Sequence, residues 1–189
     1  MKDANDERAE VVGDRKIETP ASTVRELVDW LHQTSIRVWL DGGWGVDALL
    51  GRETRAHHDV DIIVSVGDVP KLLEVCRDQG FTFRDGSAPH AFVLADESGH
   101  EIDVHTVAFS SDGSAVHQMD TGENWIFSAE SFTGLGVIEG LSVSCLSVQA
   151  QVRCHAQGYT PTEKDLRDMD LLQETFSVEL PPLLRRSKE

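Results

Sequence analysis

The strongest constraint on this chain lies between Gly42 and Ile62, GGWGVDALLGRETRAHHDVDI, where a glycine pair precedes two aspartates separated by a single valine. The preceding run IRVWLD reads as a buried strand that ends at Gly42 and Gly43. WGVDALLG then fits a short helix starting near Trp44, which Gly51 can terminate, and HDVDIIVS, alternating and rich in branched residues, reads as a second strand. Successive side chains of a strand point to opposite faces, so Asp59 and Asp61 project to one side while Val60 turns into the core. Two carboxylates held that close repel each other, and a cation between them resolves the conflict.

Around this motif the chain alternates between the two hydrophobic periods. Val24, Leu27, Val28 and Leu31 recur at helical spacing, with Thr23 and Glu26 as a capping box. A helix is expected from about Val69 to Gln79, capped by Asp68 and ended by Gly80. FTFR, HAFVLAD and EIDVHTV read as three further strands, the last two joined by the turn ESGH. A loop at SSDGS opens a middle region, 109–142, with no diagnostic pattern; GVIEGLSVSCL has hairpin character. SVQAQVRCHAQ and TEKDLRDMDLLQETF read as closing helices separated by Gly158 and Pro161. The expectation is an α+β fold, a mixed β-sheet flanked by helices. It is organised as a flexible polar tail (1–20), a core (21–146) and a C-terminal helical segment (147–189) in the same compact unit.

Asp103, between the apolar Ile102 and Val104, supplies a third carboxylate if its strand pairs beside the first. Mg²⁺ suits such a site, because it prefers carboxylate oxygens and substrate phosphates. Three acids around two metals, roughly 3.5–4 Å apart, is the arrangement that stabilises entering and leaving oxygens in phosphoryl or nucleotidyl transfer. Backbone without side chains at Gly42 and Gly43, with the N-terminus of the following helix, can approach phosphates closely. Arg52 and Arg55 lie between turn and acids, where a guanidinium can bind phosphate oxygens or simply sit on the surface.

His57, His58 and His105 raise the question of zinc, yet adjacent histidines on a strand cannot both face one centre. His105 shares a face with Asp103 and can orient it or touch substrate. Trp39, Trp44 and Trp125 read as core or wall residues, and Asp47 lies one turn into the short helix, where a carboxylate favours the helix dipole.

DGGWGVDALLGRETRAHHDVDI followed by EIDVH resembles the small antibiotic nucleotidyltransferases, of the lincosamide and aminoglycoside 2''-nucleotidyltransferase types, within the polymerase-β-like superfamily. The likeness runs from about Val38 to Val107, and HAQGYTPTEKDLRDMDLL is similar to the family's C-terminal helical segment. The resemblance implies a polymerase-β-like nucleotidyltransferase fold and an enzyme that moves a nucleoside monophosphate from an NTP, usually ATP, to a hydroxyl of a small antibiotic, releasing pyrophosphate. By the same resemblance Asp59 and Asp61 hold two Mg²⁺ ions, while Asp103 ligates one and helps to deprotonate the attacking hydroxyl. Gly42 and Gly43 contact the triphosphate, Lys164 resembles a family lysine that reaches phosphate or else pairs with Asp168 on the helix surface, and 109–142 selects the acceptor.

Charge narrows the partners. With 33 acidic against 17 basic residues, a net −16 disfavours nucleic acid and favours a cationic acceptor such as an aminoglycoside. A nucleotidyltransferase toxin acting on tRNA or protein would want a basic stripe, and the Lys and Arg residues are scattered. A catalytically silent ligand-binding relative is the other alternative, but all three carboxylates are present. Cys76, Cys145 and Cys154 form no metal-type cluster and fit a reduced, cytoplasmic protein. No segment approaches the roughly 18 consecutive apolar residues of a membrane span. A homodimer is compatible with the sequence.

Overall fold

The chain is described here by a computed structural model over residues 17–119, 121–157 and 159–186. Its elements, in order, are α1 (Ala21–Gln33), β1 (Val38–Leu40), α2 (Gly42–Leu50), β2 (Asp59–Ser65), α3 (Val69–Asp78), β3 (Thr82–Ser87), β4 (Ala91–Ala95) and β5 (Glu101–Phe109). They continue with β6 (Ala115–Gln118), β7 (Asn124–Phe127), β8 (Gly134–Ile138), β9 (Leu141–Cys145), α4 (Val148–His155) and α5 (Glu163–Phe176). One mixed sheet runs β3-β4-β5-β2-β1-β9-β8, and the β6–β7 hairpin extends from β5. β2 and β5 are parallel neighbours although α3, β3 and β4 intervene in the chain.

The helical stripe read from the sequence is the buried face of α1: Val24, Leu27, Val28 and Leu31 pack with Val38, Leu40, Val60 and Ile62 of the sheet. Each such apolar side chain contributes about 1.5–3 kcal/mol on full burial. A second cluster gathers Trp39, Ile63 and Phe127 with Phe109 and Phe132, and the Trp39 indole donates to the Phe132 carbonyl at 3.0 Å. In a third, Val46 of α2 meets Val152 of α4 and Met169 and Leu172 of α5, which fastens the C-terminal helices onto the element that follows the glycine turn.

Three local expectations are corrected. α1 starts at Ala21 with Pro20 as its N-cap, so Thr23 lies inside the first turn; Pro20 is extended and its carbonyl accepts from Thr23 and Val24. α2 starts at Gly42 rather than near Trp44, because the Asp41 side chain accepts from the Gly42 N–H and caps the helix earlier. Asp68 stands at the N-cap of α3, but its side chain makes no cap bond. The pattern-poor middle contains the β6–β7 hairpin, whose turn rests on no two-residue glycine signal. Of the polar tail, 1–16 lie outside the described residues. Thr19 is buried, its N–H donating to the His57 carbonyl at 2.7 Å and its hydroxyl to the His58 carbonyl at 3.2 Å. Among the described residues no helix is long and apolar enough to cross a membrane.

Candidate active site

The parallel pairing of β2 with β5 sets Asp61 directly opposite Asp103 and Asp59 opposite Glu101. In-register residues of neighbouring strands share a face, so Asp59, Asp61, Asp103 and His105 all rise on one side of the sheet. One ligand atom each of Asp61, Asp103 and His105 lies within 4.8 Å of the other two. The His105 Nε2 is 3.6 Å from Asp103 Oδ1.

The glycine turn packs against this cluster. Gly42 adopts φ +56, and a Cβ there would overlap the Asp61 carboxylate; at Gly43 it would overlap the His57 ring and the Arg55 guanidinium. Both the backbone conformation and the space exclude a side chain at Gly42. Gly42→Ala is expected to lower the melting temperature by roughly 5 °C, from about 2 kcal/mol of backbone strain alone, and to remove activity by displacing Asp61. A scanning calorimetry trace that matches the wild type would contradict this packing.

Asp47 braces the segment that links turn and acids. Its carboxylate accepts from the Thr54 N–H (3.1 Å) and hydroxyl (2.6 Å) and pairs with His57 Nε2 (2.6 Å). Trp44 closes over the His57 ring at 4.5 Å between centroids. His58, by contrast, turns outward and its Nδ1 meets the Ile17 carbonyl at 3.2 Å. The two histidines therefore diverge.

Arg55 is held by Asp168. Its Nε donates to Oδ1 at 3.2 Å and its Nη2 to Oδ2 at 2.7 Å, a bidentate pair in which Asp168 is only 1% exposed. The surface pairing of Lys164 with Asp168 is thus corrected: Asp168 is buried against Arg55. Residues four apart share a helix face, so the burial of Asp168 turns Lys164 to the same side, and Lys164 lines the cavity above the acids. Arg52 is exposed.

That cavity, about 410 Å³, has Asp41, Gly42, Gly43, Asp59 and Asp61 on one wall. The opposite wall comes from α4, α5 and their connection: His155, Tyr159, Thr162, Lys164 and Asp165. A smaller cavity of about 160 Å³ adjoins it, walled by Ile63, Met119, Trp125 and Phe127 with His105 and His117. Asp41, His105 and Cys154 border both.

Burial, followed by the charges of Asp59, Asp41 and Asp103, pushes the Asp61 carboxyl well above the ordinary carboxylate range, and Lys164 opposes this only in part. Asp103 is raised too, first by burial, against the opposing pull of His105. The site concentrates negative charge beyond what its own cations offset. Hard carboxylate oxygens with an excess of negative charge fit a divalent cation such as Mg²⁺.

The aminoglycoside-2''-adenylyltransferase family model matches residues 23–172, which include the glycine turn, Asp59, Asp61, Asp103, His105, Lys164 and Asp168. The chain belongs to this family. A lincosamide resistance protein of Staphylococcus haemolyticus is 30% identical over 147 residues, covering 78% of this chain and 90% of that protein. A lincosamide antibiotic adenylyltransferase solved with lincomycin superimposes with a TM-score of 0.74 at 28% identity, over 83% of this chain and 98% of the other. ANT(2'')-Ia in complex with adenylyl-2''-tobramycin shares the fold, with a TM-score of 0.64 at 18% identity over 82% of this chain and 88% of that one. This member of the aminoglycoside-2''-adenylyltransferase family is accordingly a transferase enzyme with the nucleotidyltransferase fold.

Within this family member, sequence reasoning missed Asp41, which caps α2 and faces both cavities. An Asp directly before a glycine that opens a helix is an N-cap signal, and it stood in DGGWG. Tyr159 and His155 were missed as site residues too, although both lie in HAQGYTPTEKDLRDMDLL; they reach the site through the packing of α4 and α5.

Proposed function

We propose that the chain is a Mg²⁺-dependent nucleotidyltransferase that moves the monophosphate of an NTP, ATP first, onto a hydroxyl of a small antibiotic and releases pyrophosphate. The observation that carries this reading is the in-register pairing of Asp61 with Asp103 beneath the Gly42 turn. Asp59, Asp61 and Asp103 would hold the magnesium ions. Bound there, the metal supplies neutralisation of charge on the reacting phosphate. The backbone at Gly42 and Gly43 admits the triphosphate, and Lys164 meets it from α5 with a point charge. Arg55 acts chiefly through Asp168, tying α5 and hence Lys164 to the glycine turn. Asp103, with His105 beside it at 3.6 Å, receives the proton of the attacking hydroxyl.

The smaller cavity is the acceptor compartment. Its walls of Trp125, Phe127, Met119 and Ile63 suit an acceptor with an apolar part, and Asp41 at its rim suits one ammonium group. These features favour a lincosamide-type acceptor; the net charge of −16 favours a polycationic aminoglycoside. Mass spectrometry of both antibiotic classes after incubation with mixed NTPs and Mg²⁺ decides between them. A gain of one AMP on a lincosamide is expected. Pyrophosphate release with neither class modified would refute the acceptor assignment, and binding without any release would point to a silent relative.

A further inference from the structure

The sole tyrosine of the chain stands across the larger cavity from the acids, in the connection between α4 and α5. Tyr159 is among the residues that line this cavity and is 49% exposed. Behind it His155 is buried, with its Nδ1–H donating to the Gln151 carbonyl at 2.8 Å, which fixes the imidazole within α4. The two rings meet edge to face, centroids 6.5 Å apart and planes at 64°, an arrangement that steadies the phenol without covering it.

We propose that Tyr159, backed by His155, is the stacking wall for the nucleobase of the donor nucleotide. The inference rests on the nucleotidyltransfer reading above and adds to it the residue that binds the base. The reacting phosphorus must lie between the triphosphate contacts and the acceptor hydroxyl, at the border formed by Asp41 and His105. Acceptor and donor therefore occupy opposite sides of that border. The acceptor side has its own aromatic wall, Trp125 and Phe127, whereas the donor side has Tyr159, five positions before the phosphate-facing Lys164 on the same stretch of chain. The α4–α5 connection and the first turn of α5 would thus supply the base contact and the phosphate contact together. Stacking on a phenol ring recognises the π-face that every base shares, so the wall selects for a nucleobase but only weakly among bases.

Titration calorimetry with Mg²⁺ tests this, using ATP, GTP and inorganic tripolyphosphate on the wild type, Tyr159→Ala and Tyr159→Phe. Tyr159→Ala should weaken ATP and GTP about tenfold while tripolyphosphate binds as before, and its KM for ATP should rise with kcat little changed. Tyr159→Phe should keep wild-type affinity for all three. Unchanged ATP affinity in Tyr159→Ala, an equal loss for ATP and tripolyphosphate, or a rise confined to the KM of the acceptor would overturn the assignment. A wild-type protein that binds neither ATP nor tripolyphosphate would instead sink the nucleotidyltransfer reading itself.

Discussion

Replacing Asp61 by asparagine is expected to lower nucleotidyl transfer by roughly 10³-fold, the loss of about 4 kcal/mol of stabilisation of charge in the transition state, and at the same time to raise the thermal stability of the metal-free protein. The second effect follows from crowded like charge. In the folded chain the Asp61 carboxyl is held well above its ordinary value, first by burial and then by Asp59, Asp41 and Asp103. Such a group favours the fold fully in acid, below its unfolded value, and loses that contribution as pH rises through the folded value. At neutral pH without metal, the Asp61 carboxyl therefore opposes folding, and asparagine removes the titrating group while keeping the shape. The expected gain is a few degrees, at about 2–4 °C per kcal/mol for a chain of this size. It should shrink as Mg²⁺ is added or as pH is lowered. Asp103→Asn should differ by keeping most nucleotide affinity while losing on the order of 10²-fold in turnover, as expected for a displaced proton acceptor. Calorimetric melts in chelator alongside initial rates in Mg²⁺ read both quantities. An Asp61→Asn protein that melts lower than the wild type in chelator would mean that the carboxylate already has a stabilising partner in the fold.

Arg55→Ala is expected to cost about 3 kcal/mol, because it leaves the almost fully buried Asp168 carboxylate without its bidentate partner. The corresponding fall in melting temperature is roughly 10 °C. The double variant Arg55→Met with Asp168→Leu should recover much of this, since apolar side chains of similar volume replace a buried ion pair at little cost. The KM for ATP should rise in Arg55→Ala, through the loosened seat of α5 that carries Lys164, and return toward the wild-type value in the double variant, whose packing is restored. Unfolding curves and ATP kinetics on the two proteins separate this from a direct contact with phosphate. If Arg55→Ala melts like the wild type and only its KM for ATP rises, the guanidinium belongs to the substrate and the tie to Asp168 is incidental.

The carboxylates show how far local pattern reaches. The alternation in HDVDIIVS makes Asp59 and Asp61 companions on one face whatever the rest of the chain does, because a strand repeats every two residues. The apolar neighbours of Asp103 likewise place it on a strand with its side chain opposed to theirs. Gly51 as the end of α2, and the buried stripe of α1, were legible for the same reason: each depends on residues within one or two turns of the chain. Boundaries were harder where two caps competed. Thr23 and Glu26 have the form of a capping box, yet the helix begins earlier, at a proline whose extended backbone already directs its carbonyl to the first turn.

Which strands lie side by side is another matter. That β5 joins β2 in parallel, so that Asp103 faces Asp61, depends on the crossover through α3, β3 and β4 and on the core beneath them. The pairing of Arg55 with Asp168 spans 113 positions, and nothing near either residue announces it. By itself the sequence determined the motif, the charge and the faces of single elements, since these follow from backbone periodicity and composition. Only the tertiary structure decided which of those faces meet, gave Asp41 its place between two cavities and brought Tyr159 across from the acids. Such contacts are made by packing between segments far apart in the chain, and that packing minimises the exposed apolar surface of the whole rather than of any one part.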